Sequence, residues 1–291
     1  MFKAKRLIQG IALFVFLQVC PGSVSAFETE MRPVPDPSDL PDFRLQAEAW
    51  LNGCCYQDYI AGQLAEFAEY YPKTLAYVGE ERVRLFIAMS MCKGDYYNLF
   101  AEREIGRLYV MMLDLGSGFD ADPLYPWARF PVFAPKDYTE DMPESWAYML
   151  KKWEEYLGFV RATAGERFQH ALRAARRVGD LRFSEIAELT DERSIKLLQR
   201  LYPERFARVP EEVVRGELMQ LAEEKAGEYG MPTRTGKTLM LTILFSCGSD
   251  ADKNPLYEVL FEGLQEMPAR GLNKERELFR RCQHFVKIIG R

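Results

Sequence analysis

The sequence predicts an all-α protein made of two related helical modules. Three observations carry that prediction. Apolar residues recur at i, i+3 and i+4 through most of the chain, no strand-like alternation of comparable length interrupts them, and one block of residues returns about 130 positions later. The composition is that of a globular chain: 291 residues, 48% hydrophobic and 13% aromatic, supply ample area for a core. With 38 Lys+Arg against 43 Asp+Glu the net charge is −5. That argues against nucleic acid as a partner, because phosphate binding needs a basic face to release counterions.

Lys3, Lys5 and Arg6 precede a mostly apolar run from Leu7 to Cys20, which Pro21 and Gly22 interrupt. Ser23, Val24, Ser25 and Ala26 then place small or β-branched residues where a secretory signal is cleaved. Residues 1–26 are therefore expected to be a signal peptide cut after Ala26, and the protein to be periplasmic or secreted. The apolar run is short for a bilayer span. Contact with the membrane is expected only through this signal, or through lipidation at Cys20, whose preceding Leu17, Gln18 and Val19 loosely match a lipobox. Cleavage removes three positive charges and no negative ones, so the mature chain is more acidic. Export allows disulfides among Cys54, Cys55, Cys92, Cys247 and Cys282. Five thiols leave at least one without an intramolecular partner, and the pairing stays open. Their spacing fits no zinc template.

Pro33, Pro35, Pro37 and Pro41 make residues 27–41 an extended lead-in. The first module, 42–142, opens with an apolar stripe from Leu45, Ala49 and Leu51 through Tyr59, Leu64, Phe67 and Ala68 to a break at Pro72. Helices over about 80–93 and 102–115 follow, the second stopped by Gly116. Residues 119–142, rich in Pro and Asp, predict an irregular connection. The second module, 143–291, begins with Trp146, Leu150, Trp153, Leu157 and Val160 on one helical face, and the pattern resumes from Phe168 to Val178. Further helices are expected over Glu192–Leu201, Glu211–Tyr229, Thr238–Cys247, Leu256–Gln265 and Asn273–Ile289, with Asn273 as the last N-cap.

The repeat is explicit. Tyr71, Pro72, Ala76, Val78, Glu80, Glu81, Val83 and Arg84 recur 131 positions on as Tyr202, Pro203, Ala207, Val209, Glu211, Glu212, Val214 and Arg215. At a spacing of 132, Tyr97 meets Tyr229, Gly116 and Ser117 meet Gly248 and Ser249, and Pro123 to Tyr125 meet Pro255 to Tyr257. Between those blocks Asp120 and Asp122 align by residue type with Asp250 and Asp252, at 130.

The stretch from Glu102 to Trp127, with Leu115-Gly116, Phe119-Asp120, Asp122-Pro123 and Pro126-Trp127 as its fixed points, resembles a segment of bacterial helical proteins associated with type VI secretion effector clusters. The likeness covers a quarter of the chain at most. It implies an accessory or protective role within an export system and no transferable activity. It singles out Phe119, Asp120, Asp122, Pro123 and Trp127, with Asp250 and Asp252 as counterparts in the second copy, which lacks the Phe-Asp and Pro-Trp ends.

Other motifs read as structure. Five residues separate Gly230 from Gly236 before Lys237 and Thr238 where a phosphate-binding loop needs four, and no strand precedes them. Asp250, Asp252 and Asn254 occupy the first three ligand positions of a calcium loop, but Pro255 and Phe261 stand where glycine and the closing glutamate belong. Capping and turn formation is the expected role of these aspartates. His170 and His284 have no sequence partners for a triad. The arginines at 161, 167, 173, 176, 177 and 182 predict a solvated helix face able to dock an acidic partner. The sequence thus points to an exported interaction protein with a protein partner and no cofactor. The alternative it leaves open is a periplasmic hydrolase or ligand-binding enzyme whose carboxylates converge only in three dimensions.

Overall fold

A computed structural model describes residues 40–53, 56–128, 144–161, 167–267 and 272–289, and among these the regular structure is helical throughout. The expected signal peptide, nearly all of the lead-in, and Cys20, Cys54 and Cys55 lie outside the described residues. Cys92, Cys247 and Cys282 are free thiols. No helix among the described residues is long and apolar enough to cross a membrane.

The first half runs α1 (Phe43–Leu51), α2 (Gln57–Tyr70), α3 (Pro72–Val78), α4 (Glu80–Tyr96) and α5 (Glu102–Leu115). Asp42 starts α1 by accepting the amides of Arg44 and Leu45 at 3.0 and 3.1 Å, which satisfies two donors that the first turn leaves unpaired. Phe43 and Ala47 are the buried face of α1, against α4. Leu45, expected in the core stripe, is instead 63% exposed, because the helix presents Phe43 and Ala47 inward and Leu45 falls opposite. The stripe also breaks between α1 and α2, where Tyr56 takes a left-handed conformation. Helix α4 is the central strut, with an unbroken buried run from Leu85 to Gly94.

Helices α6 (Glu144–Arg161) and α7 (Arg167–Asp180) follow, then a short α8 (Phe183–Ile186). The second half contains α9 (Asp191–Leu201), α10 (Pro203–Phe206), α11 (Glu211–Val213), a π-helical turn (Val214–Leu218), α12 (Met219–Glu228) and α13 (Arg234–Cys247). A 3₁₀ turn (Glu258–Leu260) and the closing α14 (Leu272–Ile289) complete it. The helix expected over 256–265 is not formed beyond that 3₁₀ turn. Its amides bond three residues back, Leu260 to Tyr257, Phe261 to Glu258 and Leu264 to Phe261, and this coil of tight turns buries the same apolar residues a helix would have. Helix α14 begins at Leu272, so Asn273 lies inside it and not at its cap.

The halves repeat in geometry. Tyr71 and Tyr202 end α2 and α9 with nearly equal torsions, φ −128° and −130°. Tyr97 and Tyr229 end α4 and α12, each amide reaching the carbonyl four residues back, Lys93 and Lys225. The spacing is 131 at the first pair and 132 at the second, and the extra residue is absorbed by the π-helical turn. Val214 at its start and Leu218 at its end are both fully buried, as are Val83 and Phe86 of α4, so one added residue is swallowed without rotating the core face away. Helices α6 and α7 stand outside this repeat.

Candidate functional site

The two halves meet where α5 and α13 end. Gly116 and Gly248 cap these helices at φ 107° and 102° with ψ 156°, a conformation only glycine adopts without strain. Their approach is reciprocal. A Cβ on Gly116 would lie 2.8 Å from the Cys247 carbonyl oxygen, and one on Gly248 would lie 3.0 Å from that of Leu115. The stretch Phe119–Trp127 thus sits beside a local pseudo-twofold axis, opposite Ala251 and the turn that follows it.

Each half holds a lysine, tyrosine and aspartate at matching positions, buried in the first half and half-buried in the second. In the first, Lys93 Nζ donates to Asp120 Oδ1 at 2.6 Å, and the Tyr97 hydroxyl donates to the same carboxylate. Lys93 is 2% exposed and also lies over the rings of Phe43 and Phe119, at 4.6 and 5.5 Å. In the second, Lys225 Nζ reaches Asp252 at 2.8 Å and Tyr229 bonds the same carboxylate. Lysine, tyrosine and aspartate all recur at 132. Asp120 therefore corresponds to Asp252 and Asp122 to Asn254, which corrects the register of 130 taken from residue type. The side chain at each of these last positions accepts the amide two residues on: Asp122 from Leu124 at 2.8 Å, Asn254 from Leu256 at 3.0 Å.

At this joint, two hydrogen bonds cross between the halves. Ser249 N donates to Asp122 Oδ2 at 2.7 Å, and the Ser117 hydroxyl donates to Asp250. Asp250 stands at the position related to Gly118, where a Cβ would be 2.8 Å from its Cγ, so the axis has room for one side chain and not two. A third tie comes from Arg205 of α10, which donates to the Tyr125 hydroxyl and, at 2.9 Å, to the Ser246 carbonyl. Tyr125 in turn packs edge-on against Trp127 and against Tyr156 of α6, at 5.8 and 5.5 Å.

Burial governs the proton affinities here. Asp122 is pushed up to about 6 by desolvation, against its two amide donors. Desolvation also raises Asp250, although the Ser117 hydroxyl and Lys93 pull it down. The thiol of Cys247 rises for the same reason, which makes it a poor nucleophile at neutral pH.

A carboxyl whose affinity is higher folded than unfolded favours folding most when protonated. The Asp122 contribution is therefore complete below about pH 4 and is lost as pH rises through about 6, by roughly 2–3 kcal/mol. Asn254 shows that an amide satisfies the bond within the turn, and Asp122→Asn gives up one acceptor, the one that Ser249 N uses across the halves. We expect Asp122→Asn to keep the fold and flatten the stability profile between about pH 4 and 6 relative to wild type, in urea titrations at stepped pH. A parallel slope in both proteins would refute the assignment.

The structure thus brings Phe119, Asp120, Asp122 and Asp250 to one buried centre. Pro123 and Trp127, half-buried, continue the same turn, and Asp252 lies in the equivalent cluster of the second half. Sequence reasoning missed Lys93, Lys225 and Arg205, and marked Tyr97 only as a residue of the repeat. The lysines were detectable as a Lys-x₂₆-Asp spacing that occurs in both halves, but a lysine in a helix reads as solvated until its burial is known. The partial calcium pattern is divided among protein partners, since Asp250, Asp252 and Asn254 serve Ser117, Lys225 and Leu256. The glycine-rich stretch before α13 is a cap: Thr233 Oγ1 accepts the Gly236 amide at 3.0 Å and donates to the buried Glu275. His284 is exposed against Tyr77, and the side chain of His170 lies outside the described residues.

Fold and site define an all-α protein of two helical halves closed on a shared polar centre. Compared with known proteins, the chain matches no family model, no curated sequence and no solved structure.

Proposed function

We propose that this is an exported, non-enzymatic interaction protein, an accessory or immunity-type partner in a bacterial secretion system, whose outer helical faces meet another protein. One observation carries the reading. The carboxylates of the singled-out turn are spent inside the molecule, Asp120 on Lys93 and Tyr97, Asp122 on Ser249 and Leu124, so the turn serves as the joint between halves. Surface for a partner is present in the exposed Leu45 and Phe100, and in Tyr56 stacked on Trp50 at 5.5 Å.

Affinity capture with the mature chain from envelope extract should return one stoichiometric protein partner. Recovery of none, with turnover of a small substrate instead, would overturn the proposal. That outcome belongs to a second reading, a periplasmic hydrolase or ligand-binding enzyme, which the raised proton affinities of Asp122 and Asp250 at one centre favour. Asp122→Asn separates the two, since it abolishes turnover in an enzyme and leaves partner capture intact in an interaction protein.

A further inference from the structure

Away from the joint, α8 and α14 enclose an open hollow of about 460 Å³ lined by Phe183, Ser184, Ala187, Arg276 and Phe279. Its walls are two aromatic rings set edge to face, Phe183 and Phe279, with centroids 5.6 Å apart. Helix α14 is held beside this site by Gln283, which donates to the carbonyls of Gly179 and Leu181 at 3.1 and 2.7 Å. The hollow is therefore a fixed feature between packed elements. Its volume lies within the range that accommodates small ligands or a few side chains.

The charge at this hollow is one-sided. Arg276 is exposed, and its guanidinium carbon lies 5.2 Å from the Phe183 ring centroid. Stacking uses the face of the guanidinium and leaves its N–H edge for an acceptor. The acids next to it in sequence are committed elsewhere. Glu275 is buried and accepts from Thr233, and Glu277 binds Arg280 and Arg281 at 2.7 and 2.8 Å. On α8, Glu185 accepts from the Arg182 amide and from Arg200, at 2.8 and 3.1 Å. An apolar floor beside a cation whose neighbouring acids are engaged is complementary to an apolar side chain carried next to a carboxylate.

We propose that this hollow docks an acidic peptide segment of the protein partner, an aromatic or large aliphatic side chain resting in the hollow against the packed pair Phe183 and Phe279 and an adjacent Asp or Glu pairing with Arg276. The inference rests on the interaction reading above and names the part of the surface that does the work. Aromatic anchors and arginine are the residues on which binding energy concentrates, and a planar guanidinium on a ring is a pre-organised partner for a carboxylate.

The test is a peptide-display selection on the immobilised mature protein, followed by fluorescence polarisation of the enriched peptides. The expected peptides join a large apolar residue to Asp or Glu. Ala187→Trp, which fills the hollow, should weaken them at least tenfold. Arg276→Gln, an exposed change with little effect on folding, should weaken them severalfold, and Arg276→Glu should shift preference to the same peptides with Lys in place of the acid. Thermal melts confirm that each variant is folded, and Arg276→Gln carries the test if Ala187→Trp is not. Enriched peptides that lack an acid, that bind Arg276→Gln unchanged, or no enrichment at all would overturn the inference. So would a concentration-dependent dimer abolished by Ala187→Trp, which would give the hollow to a second copy. A captured partner insensitive to both variants defeats this inference and leaves the interaction reading standing. Groove-binding peptides with no partner captured defeat that reading instead.

Discussion

Lys93→Met is expected to destabilise the protein by about 3–5 kcal/mol, enough to unfold a large fraction of a marginally stable chain. The ammonium is buried with Asp120, and the Tyr97 hydroxyl leans on the same carboxylate. Removing the cation leaves that carboxylate without its counter-charge in a dry site, with Asp250 also losing a favourable neighbour. Asp120→Leu alone should cost a similar amount by stranding the lysine. The double variant Lys93→Met/Asp120→Leu should recover much of the loss, since a buried ion pair is worth little against apolar residues of similar volume. Lys225→Met supplies the internal comparison. Lys225 keeps 12% of its side chain exposed against 3% for Lys93 and shares its charge with the surface residue Glu228, so the space it vacates borders solvent and the cost should be smaller. Denaturant titration of the four variants would settle it. Equal losses at Lys93 and Lys225 would show that burial is not the controlling factor.

Gly236→Ala is expected to be as damaging, for a steric reason. A Cβ there would collide with the Met231 carbonyl oxygen and stand 2.7 Å from the Met231 Cβ, so the entering backbone itself would have to move. That movement would also disturb the Thr233 cap on the Gly236 amide and the Thr233 contact with Glu275. We expect a loss of at least about 3 kcal/mol, or failure to accumulate folded protein. Gly106→Ala is the control, because nothing lies within 4 Å of where its Cβ would stand and alanine is the better helix former by about 1 kcal/mol. It should raise the melting temperature by a few degrees. A folded, fully stable Gly236→Ala protein would show that the turn before α13 relaxes freely.

Much of this architecture was legible from residue order. Periodicity placed α4, α5, α9 and α13 within a few residues of their bounds, because a helix that buries one face must repeat its apolar residues at that interval. Periodicity could not say that 256–265 folds as successive tight turns, since an apolar pattern records burial and not which hydrogen-bonding ring closes. Nor could it choose between Phe43 and Leu45 on α1, since in a nine-residue helix apolar residues stand on opposite sides and the pattern does not say which side meets the core.

The centre was half visible. The turn from Phe119 to Trp127 was marked by its residues, and the repeat was marked by its spacing. The partners were not marked, because Lys93, Ser249 and Arg205 are distant along the chain and become neighbours only when the halves close. Local order along the chain specifies helices, caps and the interval between repeats, since these depend on interactions within a few residues. Which lysine is buried, which aspartate pairs with it, and which of two related positions must be glycine are set by long-range packing. At Gly118 and Asp250 the two halves compete for the same volume, and no property of either segment alone foretells which one yields.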